Sequence, residues 1–296
     1  MAASAQELPH AANSRRRRVI LLAPAGNADC VAAAIDAGAD AVYVGLKGWS
    51  RGGARNEMTF DEIVAAQRNV AAAGRALHVA INTIPKPRER WKLYAAIPPL
   101  LALGVRDVIV NDLGMLATLR RRFPDLRVTA SIGCGALNMD DVRFFRDLGA
   151  AAVVLPALVN PDEIAPVDGI TIEVMLHMVE EYVLLGRCWM PSFVGEKGSV
   201  KRRGAGACFR VCQQRWELFD GDTFVASRLL PSRQLSRLAD VAAYIDAGAG
   251  VLKLQGRSLS PQALAPLVAR YRNAIDGIAP AAEPAILPQM WTVVGR

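Results

Sequence analysis

The sequence predicts a (β/α)8 TIM-like barrel, and the first observation behind this prediction is a repeated helix–glycine–strand pattern. In each copy a glycine follows an apolar helical segment and precedes a run of valine, isoleucine or leucine. Glycine is favoured after a helix because it adopts the left-handed conformation without strain, and an unbroken apolar run suits a strand covered on both faces. The five copies contain Gly38, Gly74, Gly104, Gly149 and Gly248.

The number of apolar runs is the second observation. Eight runs have the length and composition of buried strands, and helical segments fit between them. Eight strands that alternate with helices favour a closed barrel over an open doubly wound sheet. The predicted strands cover residues 19–23, 41–45, 77–82, 107–111, 127–131, 151–155, 171–177 and 250–254.

Capping residues define two of the predicted helices. Asn27 precedes a helix over 28–37, and Thr59 precedes a helix over 61–73. Both residue types are preferred at an N-cap because the side-chain oxygen accepts a hydrogen bond from a free backbone N–H. A third helix is predicted over 139–148. No GxGxxG or Walker pattern follows the first strand, so a dinucleotide or P-loop site is not expected there.

Composition and charge limit the class of protein. The chain has 296 residues, of which 52% are hydrophobic, which is enough for one large barrel domain. Of the formal net charge of +7, residues 1–18 carry four arginines and one glutamate, or +3. We expect a disordered basic leader over 1–18, the barrel over 19–278 and a C-terminal tail over 279–296. The leader would either bind RNA or an anionic membrane, or be merely solvated.

No segment has the apolar length of a secretory signal or a transmembrane helix. Five cysteines in such a chain indicate a reducing compartment, where thiols bind metals or act in catalysis more often than they form disulfides. The expected location is the cytoplasm.

The interval between the last two glycines of the pattern indicates an insertion. Gly149 and Gly248 are 99 residues apart, against 30 to 45 for the earlier intervals. The inserted segment, about 178–235, lies between strands seven and eight. An insertion after a strand lies at the C-terminal face of a barrel, where the active sites of this fold are found.

Three cysteines make this insertion a candidate metal centre. Cys188 is followed, after a loop rich in glycine, lysine and arginine, by Cys208 and Cys212 in C-x3-C spacing. Thiolates are soft ligands that select zinc, Cu(I) or iron–sulfur clusters. The alternative is that these are ordinary reduced cysteines. Three thiolates are one short of four ligands, and Glu181, His177, Glu180 or an exogenous group are the candidates for the fourth.

Polar residues at the other strand ends predict a substrate pocket at the same face. Asn82, Asn111, Asp112 and His177 are the predicted lining residues. Arg257 is predicted to line the same pocket. Of the remaining cysteines, Cys30 is expected to be structural and Cys134 to lie near the mouth. No Ser–His–Asp or Cys–His pattern supports a protease.

Several motifs together resemble the family historically labelled peptidase U32. The similarity covers roughly residues 19–275, and the ubiquinone-biosynthesis proteins UbiU and UbiV are the most similar branch. The stretches that carry it are LLAPAGN at 21–27, DAGADAVYVGLK at 36–47, LHVAINT at 77–83, VNDLGML at 110–116, GRC at 186–188, GAC at 206–208 and KLQGRSLSP at 253–261.

The resemblance implies a [4Fe-4S] cluster bound by Cys188, Cys208 and Cys212. The family motif HG-x-x-C reads HMVEE in this chain, so Glu181 stands where a fourth cysteine would be. Ser236 and Trp49 stand where some members have further cysteines. The three alternatives are Glu181 as fourth ligand, a cluster with one open iron, and a degenerate site that binds only zinc or no metal.

The resemblance also implies oxygen-independent hydroxylation, of a ubiquinone-type ring by UbiU with UbiV and of tRNA or rRNA bases by relatives. Prephenate is the implied oxygen donor, and Arg257 is predicted to hold a carboxylate such as that of prephenate, because a guanidinium binds this group through two parallel hydrogen bonds. The main expectation is therefore an iron–sulfur protein that acts on a quinone-type ring together with a UbiU- or UbiV-like partner. The alternatives are an RNA-base hydroxylation enzyme, with the KRR run at 201–203 as a contact to RNA, and a non-catalytic, metal-stabilised partner subunit.

Overall fold

A computed structural model of the chain describes residues 19–50, 56–179, 215–229 and 234–278. Its strands are β1 (Ile20–Pro24), β2 (Ala41–Gly45), β3 (Ala76–Ile81), β4 (Asp107–Val110), β5 (Arg127–Ala130), β6 (Ala152–Leu155), β7 (Thr171–Val179), β8 (Arg215–Asp220), β9 (Thr223–Leu229), β10 (Gln234–Ser236) and β11 (Val251–Leu254). Its α-helices are α1 (Ala28–Asp36), α2 (Phe60–Ala72), α3 (Arg90–Ala102), α4 (Leu113–Arg122), α5 (Met139–Asp147), α6 (Val241–Asp246) and α7 (Pro261–Ile275).

Eight parallel strands close into a barrel. They run in the order β1 to β7 and then β11, and β11 pairs with β1 to complete the ring. The predicted barrel fold is confirmed, and each of the eight barrel strands lies within two residues of its predicted bounds. The three helices predicted by position agree to within one residue.

The local signals that predicted these elements act as expected. The Asn27 side chain accepts a hydrogen bond from the N–H of Cys30 at 2.9 Å. Thr59 and Glu62 form a capping box, in which each side chain accepts a hydrogen bond from the backbone of the other. The five glycines of the repeated pattern all have positive φ, from 65° to 101°. These residues therefore stop each helix and turn the chain into the next strand.

The apolar core has two layers. The larger layer lies between the strands and the surrounding helices and includes the fully buried Tyr244 and Tyr271. The smaller layer fills the inside of the barrel in two clusters, one with Leu22, Ala80 and Ile109 and the other with Val154 and Met175. The barrel is thus packed through its interior, and chemistry at its axis is confined to the strand ends.

The segment between β7 and β11 departs from the parallel order, where the sequence predicts an insertion. There β8 and β9 form an antiparallel hairpin, and β10 pairs antiparallel with the end of β7, Ser236 opposite His177. The predicted domain limits stay predictions. None of the helices in the described part of the chain combines the length and the hydropathy that crossing a bilayer requires.

Candidate functional site at the barrel mouth

A buried ion pair lies inside the barrel. Lys253 Nζ is 3.0 Å from a carboxylate oxygen of Glu173, and the two side chains are 4% and 1% exposed. The Thr129 hydroxyl donates a hydrogen bond to the same carboxylate at 3.4 Å. Lys253 Nζ also lies 5.0 Å from the ring centroid of Tyr43. Each buried charge therefore has an opposite charge next to it within the barrel, and an isolated buried charge would be costly.

Tyr43 connects this pair to Arg257 at the C-terminal strand ends. Its hydroxyl donates a hydrogen bond to the carbonyl of Leu254 at 2.9 Å. Burial raises the pKa of Tyr43 to about 12, and Glu173 adds to the rise while Arg257 opposes it. The phenol is therefore protonated at neutral pH.

Arg257 is held over the Tyr43 ring. The carbon at the centre of its guanidinium group lies 5.9 Å from the ring centroid, and the group donates a hydrogen bond to the hydroxyl of Ser50. A Cβ at position 45 would overlap the guanidinium, so Gly45 leaves the space that the side chain occupies. These contacts hold the guanidinium of Arg257 in place near the mouth, where such a group could bind a carboxylate.

Asn111 is the predicted site residue with the least ordinary environment. It directly follows β4 and is 5% exposed. Neither Nδ2 nor Oδ1 of its amide has a hydrogen-bond partner in the part of the chain that the structure describes. Buried side-chain amides are normally paired, so this amide has unused hydrogen-bonding capacity at the mouth.

The other predicted pocket residues have structural contacts. Asp112 is the N-cap of α4 and accepts a hydrogen bond from the N–H of Met115 at 2.6 Å. The buried ring of His177 packs edge-to-face on Tyr271 of α7, with centroids 6.0 Å apart. Asn82 is half-buried just after β3. Their assignment to a substrate pocket stays a prediction.

The predicted metal ligands Cys188, Cys208, Cys212 and Glu181 lie outside the described residues, as Glu180 does. The described chain before them ends at Val179, the C-terminal end of β7. Three thiolates and a carboxylate are a donor set that suits iron–sulfur and zinc chemistry alike.

The two described cysteines add no ligand to the predicted metal site. Cys30 and Cys134 are buried, and each Sγ lies 3.4 Å from a backbone carbonyl oxygen. Burial raises the pKa of the Cys30 thiol, which disfavours the thiolate that a metal requires. No group of three or more histidine, cysteine, aspartate or glutamate side chains comes together as a metal site within the described ranges.

Sequence reasoning missed a polar cluster at the opposite, N-terminal end of the barrel. Arg127 and Asp107 form a two-point ion pair with distances of 2.8 and 2.5 Å. Burial lowers the pKa of the neighbouring His78, although Asp107 and Glu173 oppose the change. The available signal was a charged residue of opposite sign at the start of each of two consecutive apolar strands, Asp107 in β4 and Arg127 in β5. Because polar clusters at the N-terminal face of a barrel serve stability, we assign this cluster a structural role.

Sequence reasoning also missed an exposed basic segment that follows β3. Residues 86–92, KPRERWK, carry four basic side chains and one glutamate, a formal charge of +3. The Trp91 side chain is 64% exposed, and Lys92 Nζ lies 5.6 Å from its ring centroid. The first turn of α3, which begins at Arg90, has no acidic residue to neutralise this charge. Basic groups around an exposed aromatic ring are typical of surfaces that bind single-stranded nucleic acid.

The fold and the mouth define an α/β barrel with its candidate site at the C-terminal strand ends. The sequence profile of Peptidase family U32 matches residues 26–293, and the chain belongs to that family. The family resemblance stated from the motifs is thereby confirmed. A solved U32 peptidase, Mk0906, superimposes on 86% of this chain and 98% of its own, with a TM-score of 0.55 and 12% identity, which supports the fold.

Curated relatives carry names from RNA modification. The chain is 28% identical to the 23S rRNA 5-hydroxycytidine C2501 synthase of Escherichia coli, over 88% of this chain and 40% of that protein. It is 25% identical to tRNA hydroxylation protein P1 of Bacillus subtilis, over 92% of this chain and 66% of that protein. The chain thus spans less than half of the Escherichia coli enzyme.

Proposed function

We propose that this protein takes part in the hydroxylation of an RNA base. The observation that carries the proposal is the similarity, over about nine-tenths of the chain, to proteins named for tRNA hydroxylation and for rRNA hydroxycytidine synthesis. From the sequence, a quinone-type ring is the main predicted substrate and an RNA base is the alternative. The names of the relatives support the RNA base better, and a cytoplasmic location is consistent with it.

The basic segment 86–92 is a suitable RNA contact. Its four cations would neutralise phosphates, and Trp91 would stack on an unpaired base. The segment follows β3, so it leaves the barrel at the C-terminal end that carries Asn111. Phosphate contacts of this kind position an RNA without reading its sequence.

We propose Cys188, Cys208 and Cys212 as ligands of a [4Fe-4S] cluster, with Glu181 as the fourth ligand and zinc as the alternative metal. Such a cluster would supply one-electron redox chemistry at the face where the insertion begins. After anaerobic reconstitution, wild type and Glu181→Ala should differ in visible spectrum and iron content. Identical spectra and iron content would remove Glu181 from the ligand set, and a colourless protein with one zinc would replace the cluster by zinc.

A second candidate function is hydroxylation of a quinone-type ring with a UbiU- or UbiV-like partner. The placement of Arg257 favours a carboxylate ligand at the mouth, such as that of prephenate as oxygen donor. An oxygen donor that carries a carboxylate could serve the hydroxylation of an RNA base or of a quinone ring. The position of Arg257 therefore does not distinguish the two substrates.

Nucleoside mass spectrometry tests the main proposal. Total tRNA and rRNA are digested from cells that lack the gene and from cells in which it is restored. We expect one hydroxylated nucleoside, heavier than its parent by one oxygen atom, to vanish on deletion and return on restoration. Unchanged hydroxylation of every nucleoside in the deletion strain would refute the proposal.

A charge-reversal pair tests the RNA contact separately. Arg88→Glu with Arg90→Glu should weaken retention of RNA and reduce the dependence of log K on log salt by about 0.7 for each phosphate that the variant no longer neutralises. The matched control is Arg68→Glu with Arg121→Glu, the same change in charge at exposed arginines of α2 and α4. Equal weakening by both pairs would show that only net charge matters and that this surface has no special role.

A further inference from the structure

We infer that Asn111 binds the Watson–Crick edge of the base that is hydroxylated. The inference rests on the proposed function and adds the residue that reads the base. Its starting point is the buried amide, whose Nδ2 and Oδ1 have no hydrogen-bond partner among the described residues. Such an amide costs stability, and groups that cost stability are retained at functional sites.

The direction of the side chain follows from the strand. Ile109, two residues earlier, packs inside the barrel with Leu22 and Ala80. Because side chains alternate along a strand, Asn111 points to the same side and lies above this apolar layer at the C-terminal end. A Cβ on Gly133 would overlap the amide, so the glycine after β5 provides the room that the amide occupies.

The amide has the chemistry to hold a base edge. It presents one acceptor and one donor side by side in a plane. Cytosine offers a ring nitrogen that accepts and an amino group that donates, whereas uracil offers the reverse, and a half-turn of the amide matches either. Enzymes that modify a base take it out of the stack and read this edge by hydrogen bonds. Position 5 of a pyrimidine lies outside the edge and stays open to reaction.

Two substitutions at Asn111 and one at its neighbour test the inference in cells that lack the gene. Asn111→Asp replaces the donor with an acceptor, Asn111→Leu removes both groups, and Gly133→Ala displaces the amide. We expect each to lower the hydroxylated nucleoside by about 10- to 100-fold relative to restored wild type, since a bidentate base contact contributes that much discrimination. The control is Asn138→Asp, which keeps the N-cap of α5 and should keep full hydroxylation.

Thermal unfolding of the purified full chain separates recognition from a structural role. A base-reading amide is unpaired in the free protein, so Asn111→Leu should unfold at a temperature equal to or above that of wild type while the product disappears. A fall in Tm of more than about 2 °C would assign the amide a structural partner and overturn the inference.

These experiments distinguish failure of the proposed function from failure of the role inferred for Asn111. If restored wild type yields no hydroxylated nucleoside, the proposed function fails. If wild type restores it and the Asn111 variants do so to the same level, only the role of Asn111 fails.

Discussion

Removal of one partner of the buried Lys253–Glu173 pair should destabilise the protein far more than removal of both. At 3.0 Å, two unit charges attract by about 5 kcal/mol at an effective dielectric constant of about 20. This attraction offsets the cost of taking both charges out of water, and a single substitution leaves one charge without compensation. Lys253→Met should therefore lower the free energy of unfolding by about 3–5 kcal/mol.

The double variant completes the cycle. In Lys253→Met with Glu173→Gln neither charge of the pair remains, while Thr129 keeps an oxygen to which it can donate. The double variant should be more stable than Lys253→Met alone. Urea unfolding of the full chain, followed by circular dichroism, measures each free energy.

An exposed pair supplies the control. Arg143 and Asp140 lie 2.6 Å apart with side chains 51% and 91% exposed. Arg143→Met should therefore change the free energy of unfolding by about 0–1 kcal/mol. If the destabilisations of Lys253→Met and Glu173→Gln simply add in the double variant, the two charges are not coupled and the predicted effect of the buried pair is wrong.

Three further predictions concern the scaffold. Burial lowers the pKa of His78 below the ordinary 6.5, so the unfolded chain binds the proton more readily. The free energy of unfolding should therefore fall as pH drops below about 6.5. In His78→Gln, the urea midpoint should depend less on pH in this range. An unchanged dependence of the midpoint on pH would contradict the prediction. Thr59→Ala removes a capping box and should cost about 0.5–2 kcal/mol in the same assay, whereas Thr59→Ser should cost little; equal destabilisation by both would refute the cap. Gly248→Ala combines a φ of 101° with a Cβ only 2.6 Å from Pro166, so it should lower Tm, and an unchanged Tm would show that the turn adapts.

The barrel was predictable from the sequence because its signals are local. Gly38 and Gly149 mark helix ends by their own backbone conformation, and Asn27 and Thr59 form hydrogen bonds within three residues along the chain. Apolar runs between such signals leave few alternatives to parallel strands covered on both faces.

The site was predictable only in part because its contacts are between distant residues. Asn111 and Arg257 were predicted as site residues because they follow predicted strands. The same criterion also chose Asp112, which is the N-cap of α4. The Lys253–Glu173 pair joins residues 80 apart in the sequence, so no local pattern revealed it. Whether an amide is paired depends on every neighbour in the fold, and the sequence of β4 alone cannot show it.

The most direct test of RNA-base hydroxylation compares two extracts from one culture of cells that lack the gene. One extract is a nucleoside digest of tRNA and rRNA, and the other is the quinone pool, both analysed by mass spectrometry. If the protein acts on RNA, a hydroxylated nucleoside should disappear and the quinones should match those of wild type. Intact RNA hydroxylation together with accumulation of an under-hydroxylated quinone precursor would contradict it.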